Sequence, residues 1–152
     1  MTERIGPSKR SEYKVFRTIG TRWSDNDTYG HMNNVVHYSV FDTAVNGFLI
    51  ENGVLDINGG AEVFLVVETG CRYHAEMAFP DVITAGIRIA KLGNSSVRYE
   101  IGLFRNDDEI AAAEGFFIHV NVNRVSRRPA HFGDTARRVF GPLLVMNDAL
   151  TN

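Results

Sequence analysis

The sequence holds one cysteine, Cys71, among 152 residues. A lone thiol excludes an internal disulfide, a CxxC redox pair and any zinc site built on several cysteines, and it fits a reducing cytosol. An excess of one charge is also missing: 16 Lys+Arg stand against 18 Asp+Glu, a formal net charge of -2 at pH 7. Such a surface has no global field to draw nucleic acid or acidic membrane, so any bound anion must be held locally. The opening residues, MTERIGPSKRSEYK, contain no apolar h-region, and no later run is apolar over the length needed to cross a bilayer. The expectation is a soluble, cytoplasmic protein without a nucleic-acid or membrane partner. Internal repeats and low-complexity segments are absent. So are a serine-hydrolase elbow, a phosphate-cradling glycine loop and a zinc-protease helix motif.

What the chain does have is 44% hydrophobic residues, enough for one core. Residues 1–11 mix Gly, Pro, Ser and charge without periodicity and read as a flexible arm. Folded structure is expected over 12–132, with 133–152 as a C-terminal extension. YKVFRTIGTRW, from Tyr13, alternates as a strand does, with Gly20 as a candidate bulge. From about Asn34 to Glu51 the apolar residues fall on two neighbouring lines: Val36, Val40, Ala44 and Phe48, then Tyr38, Phe41, Val45 and Leu49. That spacing predicts one long helix, stopped near Gly53.

Beyond it lie the β-rich runs VFLVVET, CRYHAEMAF, DVITAGIRIAKL, SVRYEIGLFR and EIAAAEGFFIHVNVN. Gly70, Pro80-Asp81, Gly93-Asn94 and Asn106-Asp107-Asp108 are read as the turns between them. The class is α+β, an antiparallel sheet packed on one helix. The last stretch, with apolar Phe140, Leu143, Leu144 and Val145, reads as a short helix or a segment that docks on a partner subunit.

The chemistry concentrates in WSDNDTYGHMNNVVHY, Trp23 to Tyr38, just before the helix. An EF-hand reading fails, since Tyr29 takes the fifth place and Val36 the place of the bidentate glutamate. A transition-metal set of Asp25, Asp27 and His31 finds no completing histidine at helical spacing except His37. Asn33 or Asn34 suits the helix N-cap. A further reading is catalytic. Helix N-termini carry unpaired N–H groups and positive partial charge, which stabilise a carbonyl oxygen gaining negative charge. Asp27 held by a turn, Gly30 allowing close backbone approach and a helix starting near Asn34 provide a carboxylate and an oxyanion donor in that order.

This stretch resembles the signature of the hotdog-fold acyl-CoA thioesterases of the 4-hydroxybenzoyl-CoA thioesterase type. GNSSVRYE, from Gly93, and RRPAHF, from Arg127, resemble later segments of the same family, so the resemblance covers about residues 13 to 132. It implies a curved antiparallel sheet wrapped around one long helix, two subunits joined edge to edge, and active sites at the interface of a homodimer or dimer of dimers. Asp27 then matches the catalytic aspartate, Gly30 and His31 match the turn, and Asn34 lies where a helix N-terminal amide polarises the thioester carbonyl. Asp25 matches a carboxylate that is not usually catalytic. Ser95 and Ser96 match a substrate-binding segment. Arg88, Lys91 and Arg128 are named for the phosphates of CoA on charge and location alone. No cofactor is required. Asp42 offers a fallback base on the helix, but the histidine-glycine-glycine turn of the branch that uses a helical carboxylate is missing. Hydratases of this fold space aspartate and histidine five apart, and here Asp27 and His31 are four apart. The rival of another class is a hotdog protein that binds an acyl ligand, or only dimerises, without turnover.

Overall fold

The computed structural model describes residues 6–145. Its sheet has five antiparallel strands in the order β1-β3-β4-β5-β2: β1 Val15–Gly20, β2 Glu62–Tyr73, β3 Val82–Leu92, β4 Ser96–Arg105 and β5 Ala113–Asn123. The helix α1, Val36–Glu51, lies on one face of it. Alternation decides which strand residues meet the helix. Ile83, Ala85, Ile87 and Ile89 of β3, and Val97, Tyr99, Ile101 and Leu103 of β4, are buried with Phe41, Ala44, Val45 and Leu49. Each large apolar side chain fully buried there contributes about 1.5–3 kcal/mol, so this layer holds α1 and fixes its first turn in space. The result is the hotdog fold expected from the sequence.

α1 begins two residues later than the spacing suggested and ends as read. Gly53 takes the left-handed φ of 71°, and its N–H closes on the Ile50 carbonyl. β1 is shorter than the predicted run, because Trp23–Asp25 turns into a 3₁₀ segment. Gly20 ends β1 and makes no bulge; the register shifts instead between Val66 and Glu68 and between Ile89 and Lys91. Gly70 is no turn. β2 runs straight through it, because the Phe116 ring of β5 fills the space where a side chain would stand. The strand predicted over CRYHAEMAF therefore stops at Tyr73, and His74 to Phe79 form an irregular connection.

Both chain ends pack on this core within the described residues. Ser8, placed by the sequence in a flexible arm, accepts the Ala111 N–H on its carbonyl and hydrogen-bonds Tyr13 Oη at 2.8 Å. The C-terminal stretch forms α2, Asp134–Phe140, and a 3₁₀ turn, with Phe140 fully buried against Tyr99 and Phe132. The short helix read for that stretch is present.

Candidate active site

The polar cluster folds as a tight loop against the end of the sheet where β2 stops and β3 begins. Asp25 is 5% exposed and serves the loop itself: its carboxylate accepts the Arg22 backbone N–H at 2.8 Å and the Arg22 guanidinium at 2.9 Å. Its carbonyl takes the Asn33 N–H. The Asp27 N–H bonds the His31 carbonyl, and the Gly30 N–H the Asp27 carbonyl. Gly30 has φ 85°, which a side chain would strain. Asp27 Oδ1 accepts the Tyr29 N–H at 2.8 Å, and Oδ2 stands 3.5 Å from His31 Nδ1. Met32 N–H to the Met77 carbonyl and Phe79 N–H to Asn26 Oδ1 fasten the loop to the connection after β2.

The loop delivers the chain into α1. The N-cap position falls on Val35, without a side-chain cap, and not on Asn33 or Asn34. Asn33 instead orders the turn before it, its Oδ1 accepting from Val35 N–H at 3.1 Å and its carbonyl from Val36 N–H at 2.9 Å. The N–H of Asn34 has no acceptor among the described residues. Asn34 lines a cavity of about 290 Å³ together with His31, His37, Tyr73, His74 and Met77. Asp27 is not part of this lining; it reaches the cavity only through His31, whose Nδ1 lies 3.5 Å from its Oδ2. Tyr73 donates its hydroxyl to the Asn34 carbonyl, so β2 and the helix terminus share one hydrogen bond at the cavity. His37 is 4% exposed and packs edge-on against Tyr73. Burial pushes its pKa down, partly offset by the carbonyls of Asn33 and Asn34, and its Nδ1 has no partner. The cavity thus lies beside a positive helix end at which one amide, that of Asn34, has no acceptor among the described residues.

The other residues named from the sequence lie elsewhere. Ser95 ends the turn joining β3 to β4 and Ser96 begins β4, at the far end of the sheet from Asp27. β3 has 11 residues, which at about 3.3 Å each separates those ends by roughly 35 Å within one chain. That turn is tied to the C-terminal segment, through Phe132 N–H to the Asn94 carbonyl and Arg137 to the Gly93 carbonyl. Lys91 is exposed at the β3 irregularity near the turn, and Arg128 is exposed after β5. Arg88 is occupied on the outer face of the sheet, with Nε 2.9 Å from Glu100 Oε1 and its guanidinium over the Tyr13 ring. Asp42 is exposed on α1 and accepts from Asn46 Nδ2 at 2.8 Å, away from the cavity.

With this geometry fixed, the relatives are informative. The family model of the thioesterase-like superfamily matches residues 21–140, from the polar loop to the end of α2. The chain belongs to the thioesterase-like superfamily. Among solved structures, this superfamily member is similar to the PA5185 protein of Pseudomonas aeruginosa strain PAO1, with 48% identity over 93% of this chain and 99% of that one and a TM-score of 0.90. The PA2801 protein of Pseudomonas aeruginosa is 27% identical over 81% of this chain and 95% of that one, with a TM-score of 0.77. A 1,4-dihydroxy-2-naphthoyl-CoA thioesterase of Synechocystis shares the fold, with a TM-score of 0.75 at 12% identity over 83% and 94% of the two chains. No curated protein matches the chain.

Sequence reasoning missed two groups beside the cavity of this thioesterase-like protein. His74 lines it, and Glu114 of β5 holds His74 from behind. The available signal was a break in alternation at His74-Ala75-Glu76, inside a run taken for a strand.

Proposed function

We propose that the protein hydrolyses the thioester of an acyl-CoA to a free carboxylic acid and CoA, as a thioesterase of the 4-hydroxybenzoyl-CoA type. The supporting observation is that Asn34, whose N–H has no acceptor among the described residues, lines a cavity at the start of α1, in the same loop that holds Asp27. The thioester carbonyl oxygen would accept that N–H, with the helix terminus stabilising the charge it gains. Asp27 would then attack the polarised carbon, or take a proton from the water that does. Thiolate is an adequate leaving group, so the step needs neither metal nor redox cofactor. Gly30 allows the loop to approach the substrate, and His31, which lines the cavity with its Nδ1 3.5 Å from Asp27 Oδ2, would position the carboxylate beside it.

A homodimer completes this reading. Antiparallel pairing of β2 with a second β2 reverses the ends of the two sheets. It brings Ser95, Ser96, Lys91 and Arg128 of one copy toward Asp27 and Asn34 of the other, where CoA phosphates would find their cations. The edge strand β2 favours such pairing, with Leu65, Val66 and Val67 at 38%, 46% and 59% exposure.

The test is free-thiol release from short, medium, long and aromatic acyl-CoAs by wild type and by Asp27→Asn. Turnover in the variant is expected to fall by about 10²–10⁴-fold while the fold and acyl-CoA binding persist. Unchanged turnover moves the role away from Asp27. Binding without thiol release by the wild type makes the protein an acyl-CoA binder.

A further inference from the structure

Hydrolysis at this cavity leaves one charge without a described partner: the sulfur that receives the electron pair when the C–S bond breaks. The cavity that Asn34 lines is also lined by His74, which is paired with a carboxylate. His74 Nε2 stands 2.6 Å from Glu114 Oε2, with the two side chains 19% and 13% exposed. Glu114 is held from its other side by the Ser8 N–H at 3.2 Å on Oε1. His74 and Ala75 both give their backbone N–H groups to the Ala112 carbonyl, which fixes the ring against the cavity. His74 Nδ1 has no hydrogen-bond partner among the described residues.

Burial alone would raise the Glu114 carboxyl, but its hydrogen bonds from Ser8 and the His74 imidazole hold it below the ordinary carboxylate value. The group that faces His74 is therefore an anion. An imidazole oriented by a fixed carboxylate donates at its free nitrogen once protonated, and this one is on the wall of the cavity that Asn34 also lines.

Resting on the thioesterase reading, we propose that His74, oriented by Glu114, is a further catalytic residue that delivers a proton to the departing thiol. The step balances on either route. Asp27 or an Asp27-activated water forms a bond to the carbonyl carbon, and the C–S electron pair goes to sulfur. The proton on His74 Nδ1 follows it. His74 regains a proton from the water that hydrolyses the acyl group, and the products are the carboxylic acid and CoA thiol. Glu114 acts as a positioning residue, since it touches the ring and not the substrate.

The experiment compares two thioesters of one acyl group, the CoA ester and the 4-nitrothiophenyl ester. The alkyl thiolate of CoA is basic and gains from a proton as it leaves, whereas the nitrothiophenolate needs none. His74→Gln is expected to lower kcat on the CoA ester by about 100-fold, and on the nitrothiophenyl ester by less than about tenfold. Glu114→Gln is expected to show the same selectivity with a smaller loss. The ratio of the two losses does not depend on the fraction of folded enzyme, and Glu114→Gln carries the test if His74→Gln does not fold. Equal losses on both esters, or none, overturn the role of His74 while leaving the thioesterase intact. A wild type inactive on every ester overturns the thioesterase reading itself.

Discussion

At the scale of single residues, neighbouring side chains of like chemistry have separate duties, and burial sorts them. Asp25 and Asp27 are two positions apart. One is closed over by Arg22 and holds the loop, while the other keeps an oxygen turned toward His31. The sequence separated the two only through the resemblance, which matched Asp27 and not Asp25 to the catalytic carboxylate; the ties of Asp25 to Arg22 were not read from it. His74 and Glu114 were not legible, since they meet only where β2 and β5 pair, 40 positions apart. His119 shows a different consequence of burial. It is 1% exposed among Phe64, Tyr99 and Phe117, without a carboxylate, and its pKa is pushed from 6.5 down to about 4. The unfolded chain therefore binds the proton more readily. Stability from this residue is complete above pH 6.5 and declines as pH falls toward 4, by on the order of 3 kcal/mol over the whole window. Thermal melts at pH 7 and pH 5 are expected to show a smaller acid-induced drop for His119→Phe than for wild type. An unchanged drop would assign the acid sensitivity to other groups.

At the scale of elements, α1 was legible because its apolar residues recur every three or four positions and nothing in its interior breaks them. β2 was misread at Gly70, because a glycine inside an apolar run looks like punctuation until the ring opposite it is known. A second close approach fixes how α1 sits on the sheet. Gly115 of β5 lies under Phe41, and a Cβ there would overlap the ring. Gly115→Ala is expected to cost about 1–3 kcal/mol of stability, as overpacking does in a filled core. Urea denaturation would show this as a lower midpoint at an unchanged slope. A variant as stable as wild type would mean that α1 can shift away from β5 at no cost.

At the scale of the whole molecule, the sheet has two edges, and that of β2 is the longer. Its apolar residues and unpaired backbone groups make it a template for another strand, and in the proposed homodimer the proposed catalytic and CoA-binding residues would come together across it. Val67→Lys combined with Leu65→Lys is therefore expected to shift the protein from dimer to monomer in sedimentation velocity. Acyl-CoA turnover should fall with it, although Asp27 and α1 are untouched. A monomer with full turnover would show that one chain suffices. The roughly 35 Å between the two residue groups explains why the sequence could name both and could not relate them, since spacing along a chain says nothing of a second copy.

Ser8 hydrogen-bonds Glu114, and Glu114 holds His74. For anyone modifying the protein, that chain of contacts ties the backbone at Ser8 to the cavity wall. A fusion partner whose linker tugs on Ser8 pulls on the cavity wall, so a purification tag belongs at the other terminus.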